Sequence, residues 1–150
     1  MPEITVPSPI GWLSIEEEDG ALVAVHWRKA RREAATPLLE EAARQLLAYF
    51  ARERRDFDLP LRPEGSGFEQ QVWAAMQRIP YGETRSYGEI AHDTGGMPQE
   101  VGSACGSNPL PIIIPCHRVL AGGGKLGGYS GHGGLETKTK LLVLEGRLLV

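Results

Sequence analysis

Three shortages in this sequence exclude classes of protein. Two cysteines are too few for a disulfide scaffold or a four-cysteine zinc site. No apolar run reaches the roughly 18 residues of a transmembrane helix. The first ten residues include Glu3 and no basic, apolar leader, so we expect no signal peptide. We therefore expect a cytoplasmic protein with reduced thiols, whose cysteines serve chemistry rather than structure.

Positive charge is also scarce. The net charge of −3 argues against a strongly basic nucleic-acid-binding protein. Residues 1–65 hold 9 basic and 12 acidic residues and account for that charge, whereas residues 66–150 hold 7 of each. A stretch rich in Pro and Gly, from Leu61 to Gly67, separates the two parts, so we predict a domain over 1–65 and a second over 66–150.

The first part has a β-β-α-β pattern. Strands are predicted over 11–15 and 21–27, joined by an Asp-Gly turn, with a short strand before them over 4–6. Thr36 and Pro37 are predicted to begin a helix that runs to Phe50. The last element predicted in this part is a short edge strand over 56–61.

The second part is predicted to be mostly helical, which makes the whole chain α+β. Helices are expected over about 66–79, 86–95 and 98–107, the first two opened by capping boxes. The second and third flank a glycine turn, which is the helix-turn-helix pattern. The remaining segments are an extended apolar run, a glycine-rich loop and a last helix, over 109–120, 122–134 and 135–145.

The most informative stretch is Pro115-Cys116-His117, which ends the apolar run. Proline favours a turn, and a turn can aim Cys116 and His117 into one pocket where a regular strand would separate them. An imidazole can generate the reactive thiolate, and a carboxylate can hold the imidazole's tautomer. The alternative is a buried, inert cysteine beside a surface histidine. The candidate carboxylates are Glu145, Glu136 and Glu89.

The other cysteine, Cys105, shares a helix face with Val101 and is predicted to lie in the core. No zinc or other metal site is predicted, because His26, His92 and His132 form no set with ligand spacing.

The sequence resembles the O6-alkylguanine-DNA alkyltransferase (methylated-DNA–protein-cysteine methyltransferase) family, whose active-site signature is similar to residues 115–119. The resemblance covers about 66–150; residues 1–65 resemble in outline the family's small N-terminal domain, which is ribonuclease H-like. Other motifs follow in the family's order: Val72-Trp73, Ile79-Pro80-Tyr81-Gly82-Glu83-Thr84, Ser86-Tyr87-Gly88-Glu89-Ile90-Ala91, Val101-Gly102, Asn108-Pro109, Gly128-Tyr129-Ser130-Gly131, Leu141-Leu142 and Glu145-Gly146.

The resemblance implies DNA repair by irreversible transfer of an alkyl group from O6 of guanine to Cys116, once per molecule and without a cofactor; O4 of thymine is a further candidate. His117 matches the base, acting through a water, and Glu145 matches the carboxylate that orients it. Asn108 matches the residue that ties the helix-turn-helix to the active-site loop. Tyr87 matches the donor to the departing guanine.

The resemblance also implies a substrate pocket. Ser130 matches the loop position that bonds O6, and Tyr129 matches a pocket wall. Val119 matches a backbone position that contacts the base amine, and Pro111 is a further pocket candidate.

The implied partner is double-stranded DNA, bound by a monomer from the minor groove with the damaged nucleotide flipped out. Small residues on the second helix of the helix-turn-helix suit a close approach: Gly102, Ser103, Ala104, Gly106 and Ser107. Where the family inserts an arginine this chain has Gln99, followed by Glu100.

Three explanations of Gln99 stay open. Gln99 fills the space left by the flipped base through hydrogen bonding, or other residues contact the phosphates, or the protein binds duplex DNA poorly. The candidate phosphate contacts elsewhere are Arg85, Arg118, Lys125 and Lys138. We predict weaker, more salt-sensitive DNA binding than with arginine at this position.

Two alternative functions are considered. One is a non-catalytic lesion-binding protein of the same fold, which the retained Cys116 disfavours. The other is a Cys-His-Glu hydrolase, for which no oxyanion hole stands out in the sequence.

Overall fold

The computed structural model describes residues 1–148; the last two residues of the predicted 66–150 domain lie outside the described residues. The chain forms two compact units, Met1–Glu64 and Gly65–Val150. Among the described residues, no helix combines the length and apolar character needed to cross a membrane.

The first unit contains an antiparallel three-stranded sheet of order β1-β2-β3, with β1 at Glu3–Ser8, β2 at Gly11–Glu18 and β3 at Ala21–His26. The turn between β2 and β3 is made by Asp19 and Gly20, which adopt φ of 48° and 79°. Both residue types tolerate this left-handed region, which explains why Asp-Gly marks a hairpin. The short strand expected over 4–6 is longer than predicted, because β1 runs from Glu3 to Ser8.

A single helix, α1 at Pro37–Phe50, packs on this sheet. The Thr36 hydroxyl accepts from the Leu39 amide at 3.1 Å, as a helix cap should. The edge strand predicted over 56–61 is absent from the described structure, and only Leu61 forms an isolated bridge, to Leu22. The α+β class is confirmed, but the order of the first unit is β-β-β-α.

The second unit begins with three helices, α2 at Gly67–Gln77, α3 at Tyr87–Thr94 and α4 at Pro98–Gly106. Both predicted capping boxes form, at the starts of α2 and α3. Gly95 ends α3 at φ 76°, and this left-handed turn leads into α4. The pair α3–α4 is the helix-turn-helix.

The apolar segment after α4 is a compact turn and not the extended run that the sequence suggested. The Ile114 amide donates to the Leu110 carbonyl at 2.8 Å, which folds the chain back on itself. Ile112, 1 % exposed, adopts φ 74°, a region that a β-branched residue rarely enters. Two interrupting prolines make a continuous strand unfavourable, and packing completes the turn.

A short 3₁₀ turn over Cys116–Arg118 follows and leads into β5, Val119–Leu120, which pairs in parallel with β4, Arg85–Ser86. The glycine-rich segment then contains one further 3₁₀ turn, Gly122–Gly124. The last helix, α5, spans Gly134–Leu144. Cys116 and its neighbours are thus held between the helix-turn-helix and the last helix.

Candidate active site

The 3₁₀ turn carries the consecutive residues Cys116 and His117, and it buries both side chains. The Arg118 amide closes the turn on the Pro115 carbonyl at 3.0 Å, and the Cys116 amide donates to the Ile114 carbonyl at 2.8 Å. Cys116 is 5 % exposed and His117 is 0 % exposed. The proline-directed turn predicted from the sequence therefore exists, and both reactive side chains lie inside the unit.

Asn108 links α4 to this turn. Its side-chain amide donates to the Ile114 carbonyl at 2.8 Å, and its side-chain oxygen accepts from the Leu110 amide at 2.9 Å. The same side chain works to lower the pKa of the Cys116 thiol. Asn108 therefore fixes the backbone before the nucleophile.

His117 and Glu145 form a buried pair, with His117 Nε2 at 2.7 Å from Glu145 Oε2. Burial lowers the pKa of His117, so the imidazole is neutral. A neutral ring with its proton on Nε2, facing the carboxylate, carries a lone pair on Nδ1. That nitrogen is buried and has no hydrogen-bond partner among the described residues, so it is free to accept a proton.

Burial raises the pKa of Glu145, but hydrogen bonds from His117 and Arg118 outweigh this and bring it to about 2. Arg118 Nε and Nη2 lie 2.8 and 3.0 Å from the two carboxylate oxygens. Of the three carboxylates left open by the sequence, Glu145 is the one that meets the histidine.

Arg118 does not serve as a phosphate contact, which corrects our expectation. Its side chain is 7 % exposed, and its remaining edge donates to the Ile79 carbonyl at 2.7 Å. A guanidinium engaged on all these edges cannot reach a DNA phosphate. Arg118 instead holds the Glu145 carboxylate.

A cavity of about 540 Å³ opens at Cys116. Its size falls within the roughly 300–1,000 Å³ range of small-molecule pockets. Its walls come from α3, α4, the 3₁₀ turn and the glycine-rich loop. The lining residues are Tyr87, Pro98, Gln99, Gly102, Cys105, Gly106, Cys116, Gly128, Tyr129 and Ser130.

The two tyrosines of the cavity are neutral phenols. Burial, then the nearby cysteines, raise the pKa of Tyr87 to about 12, and its hydroxyl donates weakly to the Gly128 carbonyl at 3.5 Å. Burial likewise raises the pKa of Tyr129 well above its usual value. A neutral phenol at the cavity wall is a proton donor, as the resemblance requires of Tyr87.

Cys105 lies at the edge of the core, 9 % exposed, and also lines the cavity, which the sequence did not reveal. Burial raises the pKa of its thiol to about 12. Burial also raises the pKa of Cys116, and the charge of Lys138 opposes the effect of burial at both thiols. What distinguishes Cys116 is its neighbour His117, whose Nδ1 is available as a base.

Several predicted residues lie outside the cavity wall. Val119 and Pro111 are buried and are not among the residues that line the cavity. Ala104 is 2 % exposed and its carbonyl accepts from the Trp73 indole at 2.8 Å, so its side chain faces the core and not DNA, contrary to our expectation. Ser103 is exposed on α4. Arg85 lies at the surface, with Asp93 3.0 Å away.

Glu100 has a structural role that accounts for a negative charge on the recognition helix. Its carboxylate accepts from the Met97 amide at 2.8 Å and so caps α4. Gln99, beside it, is exposed and lines the cavity mouth.

Lys138 is a site residue that sequence reasoning misplaced at the surface. Its side chain is fully buried, and its ammonium donates to the carbonyls of Val119, Leu126 and Gly128 at 2.7, 2.5 and 3.0 Å. The available signal was its spacing from the apolar Leu141 and Leu142, three and four residues on. These distances also exclude it as a phosphate contact.

In the first unit, Glu3, Glu16 and His26 bring three possible metal-ligand atoms within 4.8 Å of one another. Each already has a partner, because Arg28 lies 2.5 Å from Glu3 and His26 lies 2.7 Å from Glu16. These contacts satisfy the group, which carries no metal proposal.

Comparison with known proteins identifies the family of this chain. A family model described as the DNA-binding domain of 6-O-methylguanine DNA methyltransferase matches residues 67–147, and one described as its ribonuclease-like domain matches 1–63. This chain belongs to the 6-O-methylguanine DNA methyltransferase family.

Relatives extend over nearly the whole chain. A methylated-DNA–protein-cysteine methyltransferase of Methanosarcina acetivorans is 44% identical, covering 93% of this chain and 94% of the relative. The constitutive one of Bacillus subtilis is 42% identical, covering 93% and 91%. The crystal structure of Mycobacterium tuberculosis OGT in complex with DNA has 44% identity and a TM-score of 0.84, covering 97% of this chain and 92% of that one.

Proposed function

We propose that this chain repairs alkylated DNA by direct reversal, transferring an alkyl group from O6 of guanine to Sγ of Cys116. The observation that carries this proposal is a nearly buried thiol at a cavity, next to a neutral histidine oriented by a carboxylate. The names of the relatives, which are methylated-DNA–protein-cysteine methyltransferases, support it.

The geometry supports a two-proton mechanism. His117 Nδ1 takes the thiol proton of Cys116 through a bridging water, and Glu145 stabilises the resulting imidazolium. The thiolate then attacks the alkyl carbon, so an S–C bond forms as the C–O6 bond breaks. The electron pair stays on the guanine, and the neutral phenol of Tyr87 protonates the departing base.

The product is a thioether on Cys116, so each molecule reacts once. To restore the thiol, another nucleophile would have to take the methyl group and expel the Cys116 thiolate, a poor leaving group from an uncharged thioether. Among the described residues that line the cavity, the other thiol is Cys105, whose pKa is raised by burial to about 12. The protein acts as a stoichiometric reagent in this proposal.

The DNA contact is assigned to the 66–150 domain, and residues 1–65 form a separate N-terminal domain. A base inside a duplex cannot enter a cavity of this kind, so the nucleotide is flipped out. We place α4 in the minor groove as a monomer, with Gln99, Gly102 and Ser103 toward the DNA. Substrate contacts are assigned to Ser130 and Tyr129, both on the cavity wall. A DNA substrate and free thiols support a cytoplasmic, nucleoid-associated location.

The test is a mass measurement after incubation with an oligonucleotide that contains O6-methylguanine. We expect a gain of one CH₂ unit, mapped to Cys116, that stops at one equivalent per protein. Cys116→Ala should take up no methyl group, whereas Cys105→Ala should still do so. Label on Cys105 alone, or continued turnover, contradicts the proposal; turnover would instead indicate a hydrolase.

A further inference from the structure

Lys138 is a buried cation for which the alkyl-transfer mechanism has no role. Its three ammonium protons are matched by three carbonyl acceptors, those of Val119, Leu126 and Gly128. No carboxylate pairs with it within residues 1–148. Burying an ammonium without a carboxylate partner costs free energy of folding. We therefore ask what Lys138 contributes to the site in return.

The three carbonyls belong to two segments of the active site. Val119 directly follows the turn that carries Cys116, while Leu126 and Gly128 lie in the glycine-rich loop just before Tyr129 and Ser130. Eight of the thirteen residues over 122–134 are glycine, so the loop has few side chains with which to hold itself in place. The Lys138 ammonium therefore supplies the link between loop and turn.

The same ammonium interacts electrostatically with the reactive thiol. The titratable groups around it are the thiols of Cys116 and Cys105 and the Tyr87 ring, whose centroid is 5.9 Å from Nζ. Burial lowers the pKa of Lys138, and the two thiols oppose this effect. The charge of Lys138 also works to lower the pKa of His117. Nearby, Arg118 and Glu145 form an ion pair whose charges offset each other. The Lys138 charge works to lower the pKa of Cys116, against the effect of burial.

We propose that Lys138 is a positioning residue that fastens the glycine-rich loop to the nucleophile's turn and supplies the positive charge facing the thiolate. This rests on alkyl transfer to Cys116, the proposed function. The two roles are separable, since one needs hydrogen-bond donors and the other needs charge.

The first test compares Lys138→Met with Lys140→Met, the same change at an exposed position of α5. Reaction of Cys116 with iodoacetamide is followed by peptide mass between pH 6 and 10. Lys138→Met should move the midpoint upward by about one pH unit, which is measured as about tenfold slower labelling at each pH below the midpoint, because the thiolate fraction is tenfold smaller. It should also speed amide exchange over 122–130, and Lys140→Met should do neither.

A second variant separates the roles. Lys138→Gln keeps donors without charge, so it should retain more loop protection than Lys138→Met while showing the same midpoint shift. Circular dichroism checks that each variant is folded. If neither variant folds, the native protein is labelled with an amine-reactive ester instead. The buried Lys138 should then react far more slowly than the exposed Lys140.

The outcomes are distinct from those of the functional proposal. If the native protein never methylates Cys116, the proposed function fails. If it does, but Lys138→Met keeps the native midpoint, exchange and transfer rate, the role of Lys138 is wrong. Equal labelling of Lys138 and Lys140 in the native protein overturns it as well.

Discussion

The chemistry of this site depends on single side chains, and the role of Arg118 in particular is determined by its burial. A basic residue next to a DNA-reactive cysteine suggests phosphate binding, but this guanidinium lies under the surface against Glu145. Sequence could not distinguish these roles, because local pattern does not report which residue covers another. Lys138 was misplaced for the same reason. Cys116 and His117 were identifiable because their motif is short and contiguous, and Asn108 because the Asn-Pro motif precedes the cysteine motif in the family's order.

Arg118→Met is expected to lower the free energy of unfolding by about 3–5 kcal/mol, since it leaves Glu145 buried with one fewer partner. The salt dependence of DNA binding should stay unchanged, because no phosphate contact is lost. Thermal unfolding and binding titrations at two salt concentrations check both. A stable variant with a shallower salt slope would restore Arg118 as a DNA contact.

The pH profile of transfer should reflect the burial of His117. Because its pKa is lowered, the imidazole remains a base below the usual histidine midpoint of about 6.5. Stability changes in the same direction: the unfolded chain takes up the proton first, so acidification below 6.5 destabilises the fold. Single-turnover rates and urea unfolding between pH 5 and 8 test this, with His117→Gln expected to flatten the stability curve there.

Elements followed the sequence wherever their signals were local. The caps of α1, α2 and α3 were predictable because each depends on residues three positions apart. The strand over 56–61 and the extended run over 109–120 were wrong, because apolar, proline-interrupted segments take the shape that their neighbours impose. The left-handed Ile112 in particular has no signal in its own sequence.

The recognition helix provides a prediction of its own. Glu100→Gln removes a negative charge but keeps an oxygen that can accept from Met97, so stability should hold while DNA affinity rises. Glu100→Ala removes the cap as well and should cost about 0.5–2 kcal/mol. Fluorescence anisotropy and thermal unfolding distinguish the two. Unchanged affinity in Glu100→Gln would place this end of α4 away from phosphates.

For the whole molecule, charge limits how DNA can be held. The 66–150 domain has seven basic residues, of which Arg118 and Lys138 are buried, leaving five. With about 0.9 counterions released per phosphate contact, log affinity against log salt should have a slope no steeper than about −5. An uncharged Gln99 releases no counterion, so this argument favours a shallower slope than arginine would give, where the sequence led us to expect greater salt sensitivity.

Gln99→Arg should raise affinity for duplex DNA and steepen that slope by about one. Binding titrations between low and moderate salt measure it, and Gln99→Met provides an uncharged side chain of similar length as the control. If arginine left both affinity and transfer rate unchanged, residue 99 would have no part in holding DNA.

The left-handed backbone of Ile112 has a consequence for folding order. A β-branched residue in this region costs of order 1–3 kcal/mol and persists only where its surroundings enforce it. The turn that contains Ile112 is closed by the hydrogen bond from Ile114 to Leu110 and is braced on both sides by the Asn108 side chain, which directly follows α4. The segment that delivers the nucleophile should therefore assemble after the helices, so a newly made chain acquires its reactive thiol late.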